Sequence, residues 1–247
     1  MAEIIDFEIV KNENDVLDML DSLLEQRESE WWSEFYSDQK KPIPFFVDVP
    51  DETLVSYVES GILTKGKALD VGCGNGRNAI YLAQKGYQAI GIDFSQTSIE
   101  WARKTADEKT VEVNFLCQSI YDFADDNESF DLVYDGGCFH HIKPHRRQQY
   151  LRTILKYLKP GGYYAMTCFN LEGGANLSDY DVYRGNSMAG GLGFSEYKLK
   201  SVLAPYFEIV EFKEMVDSND EDMFGESFLW SVLMKPRVAM IVSQAGD

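Results

Sequence analysis

Basic charge is the scarcest property of this sequence. Its 247 residues carry 23 Lys and Arg against 41 Asp and Glu, a formal net charge of −18. Binding to a nucleic-acid backbone depends on clustered Lys and Arg, so no nucleic-acid partner is expected, and the same deficit argues against an anionic membrane surface. No run approaches the roughly 18 apolar residues of a membrane span. The opening MAEIIDFEIV lacks the basic start and apolar stretch of an export signal. Cys73, Cys117, Cys138 and Cys168 are widely spaced with no CxxC pair, so reduced thiols in a cytoplasmic protein are expected rather than disulfides. Neither an internal repeat nor a low-complexity linker is present.

What the chain does have is a core-forming composition, 45% hydrophobic and 13% aromatic. From residue 67 it alternates. KALDVG, QAIGID, VEVNFLC, FDLVYDGG and YYAMTCF read as strands, while GRNAIYLAQKG, the Ser95-capped SQTSIEWARKTADEK and PHRRQQYLRTILKYLKPGG read as helices, the last closing at Lys159-Pro160-Gly161-Gly162. SEYKLKSVLAP adds a helix, and FEIVEFKEMV and SFLWSVLMKP close the chain as strands with no helix between them. Repeated β-α units predict an α/β, doubly wound, Rossmann-like sheet of seven mostly parallel strands. The closing pair has no crossover helix and must run antiparallel, so the sheet is mixed at one edge. Ahead of this core, residues 14 to 30 read as an amphipathic helix capped by Asn14, followed by the aromatic WWSEFYSDQKKPIPFF and a helix, DETLVSYVESG, stopped by Gly61. The expected division is an N-terminal helical and aromatic cap over 1–49 and a core domain over 50–247.

LDVGCGNGRN carries the chemistry. Gly72, Gly74 and Gly76 leave the first strand and enter a helix, at the carboxyl end where such sheets bind ligands. Asp93 ends the second strand, where an acid can accept both hydroxyls of a ribose. A dinucleotide fingerprint needs glycine at position 77, and this chain has Arg77. Asp70 precedes the loop, where its carboxylate can face an ammonium or order the turn.

DVGCGNGRN, GIDFS, FDLVYDGG and the LKPGG turn, in this order over residues 50 to 236, resemble the class I S-adenosylmethionine-dependent methyltransferases. GNGRN with CFHHI, and GFSEYKLKSVLAPYFEIVEF, look closest to the small-molecule branch near tellurite and thiopurine methyltransferases. The resemblance implies S-adenosylmethionine as cofactor, with Asp70, Gly72, Gly74 and Gly76 at its methionine end, Asp93 on the ribose and Phe94 against the adenine. Where many members carry an acid after the third strand, this chain has Ser119 and Ile120. The Ser119 hydroxyl or backbone groups there are then expected to replace that adenine contact.

Methyl transfer needs alignment and exclusion of water more than a catalytic triad. The fourth strand ends in DGGCFHHIKPH, which makes Asp135, His140 and His141 site candidates, the histidines as base or substrate-orienting groups. Cys138 with His140, His141 and His145 has no zinc-family spacing, so no metal is expected. Packing behind the loop remains an alternative for these histidines. Substrate contacts are expected from Trp31 and Tyr36 in the aromatic stretch and from Tyr180, Tyr183 and Arg184 in the glycine-rich NLEGGANLSDYDVYRGNSMAGGLGF, read as a flexible loop. The acceptor is expected to be a small molecule. An NAD-dependent oxidoreductase and a non-catalytic cofactor-binding protein remain alternatives, and the oligomeric state stays open.

Overall fold

Helical periodicity and capping chemistry account for most of the helices. In the computed structural model, which describes residues 9–24, 29–126, 129–218 and 220–237, α1 spans Glu13–Ser22, α2 Ser29–Phe35 and α3 Glu52–Glu59. The alternating core follows: β1 Lys67–Val71, α4 Arg77–Gln84, β2 Gln88–Asp93, α5 Gln96–Glu108, β3 Asn114–Cys117, β4 Phe130–Gly136, α6 Arg147–Tyr157 and β5 Leu158–Phe169. Next come α7 Asp179–Gly185, α8 Glu196–Leu203, β6 Phe207–Glu214 and β7 Leu229–Pro236. The seven strands form one sheet in the order β3-β2-β1-β4-β5-β7-β6. β1 to β5 pair in parallel, and β7 runs antiparallel to both β5 and β6. The chain order reverses between β1 and β4, and the crevice at their carboxyl ends is where ligands bind in such sheets.

Large side chains bury this sheet on both faces. Phe130, Tyr150, Leu151, Ile154 and Phe207 belong to one fully buried cluster, and Leu54, Tyr57, Leu82, Leu132 and Tyr134 to another. Ser95 caps α5 as expected, its Oγ accepting from the Ser98 amide at 3.2 Å.

Several boundaries differ from the sequence reading. The helix expected over 14 to 30 is two helices, with residues 25–28 outside the described residues. Asn12, not Asn14, caps the first, because a capping box with Asp15 satisfies two amide donors at once. α6 closes at Tyr157 rather than at the Pro-Gly-Gly turn. Pro160 cannot donate and excludes Lys159 from the helical region, so this stretch enters β5 with a register shift against β4. The loop expected after the fifth strand contains α7, which Ser178 caps.

Candidate active site

Three left-handed residues shape the loop between β1 and α4: Gly72 (φ 66°), Gly74 (φ 54°) and Gly76 (φ 80°). Side chains are disfavoured there twice over, by conformation and by space. A Cβ on Gly76 would stand 2.6 Å from the Phe115 ring, and one on Gly72 would stand 3.0 Å from Cys138 Cβ. At the end of β2, Asp93 ties down the same loop. Its Oδ2 accepts from the Gly74 amide at 3.0 Å and its Oδ1 from the Ser95 amide at 2.8 Å. Burial pushes the Asp93 carboxyl up, and these backbone donors pull it back.

The polar residues of GNGRN hold the segment before α3. Asn75 donates to the Val47 carbonyl at 2.8 Å and Arg77 to that of Val49 at 3.1 Å. Arg77 is also ion-paired with buried Asp51, which Asn78 binds in turn. The position that would be glycine in a dinucleotide fingerprint is thus a clamp.

One cleft crosses the carboxyl ends of the sheet. Gly72, Asp93 and Phe94 line one part, and Cys138, His140, His141, Thr167 and Phe169 line the other. Its roof is the N-terminal aromatic segment, through Trp32, Tyr36 and Phe45. Trp32 meets the His141 ring edge-on at 4.9 Å, and Ser33 of α2 lies 3.2 Å from Ser95 at the start of α5.

The sequence matches the methyltransferase domain family over residues 68–162, from β1 to the start of β5. A 2-heptyl-1-hydroxyquinolin-4(1H)-one methyltransferase of Mycobacteroides abscessus is 28% identical over 153 residues, 62% of this chain and 67% of that one. A ubiquinone biosynthesis O-methyltransferase of Coxiella burnetii is 30% identical over 134 residues, 54% of either chain, so the match spans about half of that enzyme. Among solved structures, the 1,6-didemethyltoxoflavin-N1-methyltransferase of Burkholderia thailandensis, with 1,6-didemethyltoxoflavin and S-adenosylhomocysteine bound, shares the fold at a TM-score of 0.63. That likeness covers 92% of both chains at 20% identity. Residues 68–162 thus match a methyltransferase domain, and the relatives and the shared fold agree with it.

The residues of this methyltransferase fit its cofactor. Backbone is bare toward the cleft at Gly72. A carboxylate has about four acceptor positions, so Asp93 retains capacity beyond its two backbone bonds. Phe94 presents a ring that is 39% exposed.

Other expected site residues lie elsewhere. Asp70 is buried behind the loop, and its Oδ2 accepts from the Ala79 amide at 3.1 Å. Burial, reinforced by the charge of Asp51, pushes its carboxyl up to about 8. It orders the turn and does not line the cleft. Gly74 and Gly76 also lie off the cleft wall, one under Tyr36 and the other against Phe115. Ser119 forms a turn, accepting from the Asp122 and Phe123 amides through its carbonyl, and Ile120 is core. Asp135 is fully buried with four donors on it: Tyr150, Tyr164 and the Cys138 and Phe139 amides. It shapes the end of β4 from below.

On the substrate side, Trp32 lines the cleft in place of Trp31, because α2 turns that face inward. Tyr180 is 78% exposed, Arg184 pairs with Asp181 at 3.4 Å, and Tyr183 bonds His145 Nδ1 at 2.6 Å. None of the three lines the cleft. The loop they belong to reaches it through Ser187, Met188 and Gly190 instead. Thr167 and Phe169 were legible as the carboxyl end of a strand. Phe224 and Phe228, from the β6–β7 connection, carry no local signal. Among the described residues no group of three or more His, Cys, Asp or Glu side chains is placed to share a metal ion.

Proposed function

We propose that this methyltransferase modifies a small, planar and largely apolar acceptor held beneath the N-terminal aromatic roof. The carrying observation is the continuity of the cleft: the glycine loop and Asp93 at one end open directly into the pocket of Trp32, Phe169 and the histidine pair at the other. Bound at the first end, S-adenosylmethionine supplies an electrophilic methyl group. Asp93 holds the ribose, Phe94 lies on the adenine, and the Gly72 backbone borders the methionine part. His140 and His141 stand beside the acceptor, and the aromatic roof excludes water. Positioning of this kind supplies roughly 7–11 kcal/mol in favourable cases.

The relatives named for a hydroxyquinolinone and for ubiquinone biosynthesis support a ring acceptor. The excess of acidic residues disfavours nucleic acid, and four free thiols favour the cytoplasm. Incubation with methyl-labelled S-adenosylmethionine and panels of ring hydroxyls, thiols, amines and peptides tests the reading. Label should enter ring compounds and require the Trp32 side chain. Transfer confined to peptides would overturn it.

A further inference from the structure

The ring of His140 is fixed by its neighbours. Its Nδ1 accepts from the Phe169 amide at 3.3 Å, and the ring stacks on Phe169 with centroids 3.7 Å apart and planes 18° apart. An Nδ1 that accepts carries no proton, so in the neutral ring the proton is on Nε2. Turning the ring over would set a carbon against the Phe169 amide and orphan a backbone donor. Cε1 faces Gly137 and Cδ2 faces Gly191, at 3.3 and 3.2 Å from where a Cβ would stand. Nε2 lies between these two atoms, has no protein partner among the described residues, and is not a buried orphan. It therefore opens on the cleft that His140 lines.

A general base needs the opposite arrangement: a free lone pair on the cleft nitrogen and a carboxylate or carbonyl orienting the other N–H. Neither ring nitrogen of His140 meets an acceptor of that kind. The other polar groups at this end match a donor role. Thr167 lines the cleft, and its hydroxyl has no partner among the described residues. Lys143 also lines it, 2.9 Å from Asp21. Asp93, at the cofactor end, is the one carboxylate among the lining residues described.

We propose that His140 is a neutral hydrogen-bond donor, through Nε2–H, to an acceptor that arrives already ionised, and that the acceptors are acidic ring hydroxyls: phenolic, enolic or N-hydroxy. This rests on the proposed function. The acceptor proton leaves to water before or during binding. The oxyanion lone pair then forms the O–CH3 bond as the S–CH3 bond breaks, with that pair remaining on sulfur as the neutral thioether. Burial and the neighbouring His141 hold His140 well below the usual imidazole range, which keeps it an uncharged donor.

Two measurements test the assignment, both with S-adenosylhomocysteine bound. In the first, 15N spectra of the histidine-labelled protein, assigned with His140→Gln, should show His140 as the Nε2–H tautomer and non-titrating between about pH 5 and 8, across the ordinary histidine value. An Nδ1–H tautomer or an imidazolium would overturn the proposal. In the second, 4-nitrophenol reports its own ionisation by visible absorbance. A donor bonded to an anion favours it by about tenfold or more, so the bound probe should ionise at least about one pH unit lower in the parent than in His140→Ala, with His140→Gln between them. Equal midpoints, or a lower midpoint after His140 is removed, would overturn it. Failure of S-adenosylmethionine to bind, or label confined to peptides, would instead strike the proposed function, so the two failures are separable.

Discussion

Asp93 has two jobs in this structure, and they separate under mutation. Its oxygens hold the Gly74 and Ser95 amides, and in the proposed function its remaining acceptor capacity would take the ribose. Asp93→Ala should weaken S-adenosylmethionine binding at least tenfold by calorimetry, since a hydrogen bond to a charged group contributes about 1.5–3 kcal/mol. It should also cost about 1–3 kcal/mol of stability for each backbone donor left unpaired. Asp70 makes a different prediction, about pH. Its folded carboxyl is raised to about 8 from an ordinary value of 3.8. Between those values the native state binds a proton that the unfolded state lacks, so stability falls as pH rises through that window and levels off above it. Asp70→Asn keeps an acceptor for the Ala79 amide and removes the titration. Urea melts of cofactor-free protein should show the variant gaining on the parent between pH 5 and pH 8. An unchanged difference would mean that Asp70 is ionised throughout.

Among the elements, α1 is held by little apolar contact. None of its residues is buried. Charge holds it: Asp21 meets Lys143, His145 and Arg146 within 2.9 Å, and Asp18 also meets Arg146. Burial alone would raise the Asp21 carboxyl, but these three partners hold it well below the carboxylate range. A depressed carboxyl contributes its stabilisation above the unfolded value and loses it as pH falls through the folded one. The group is partly exposed, so the network is worth about 1 kcal/mol and is screened by salt. Asp21→Asn, or high salt on the parent, should speed hydrogen exchange over Glu13–Ser22 about fivefold and leave the sheet amides unchanged. Exchange in α1 that ignores both would show that something other than charge holds the helix. α2 is anchored differently, through Trp32, Phe35 and Tyr36 packed over His141, Phe46 and Trp101. Trp32→Ala should raise the acceptor KM and leave cofactor affinity within a few-fold, because this ring roofs the acceptor end; an equal loss of cofactor binding would place the roof over the wrong ligand.

For the whole molecule, cofactor binding and folding are linked. At a hundredfold excess over its dissociation constant, S-adenosylmethionine should add about 2.7 kcal/mol, or about 5–10 °C in Tm for a chain of this size, while NAD leaves Tm unchanged. Stabilisation by NAD alone would contradict the cofactor assignment. The fold was legible in advance because its signals are local. Strand and helix periods, the glycines of the first turn, Ser95 at a helix start and the missing crossover before the last strand each act within a few residues. At the proposed cofactor end, Gly72, Asp93 and Phe94 line the cleft from strand ends, which is where this class of sheet binds its ligands. Other expected contacts lie off the cleft for a common reason, since sequence position does not say which way a side chain faces. Asp70 and Asp135 looked like ligands and are buried supports; Tyr183 looked like a substrate contact and bonds His145. At the other end the sequence singled out Tyr36, His140 and His141, but which rings close the pocket was decided by tertiary structure. Trp32, His140, Thr167 and Phe228 come from four separate parts of the chain and meet only when the sheet closes, and even the tautomer of His140 depends on the Phe169 amide, contributed by the next strand. Local pattern determines which elements form, but a pocket is a set of distances between elements, and those distances exist only after packing has chosen which faces meet.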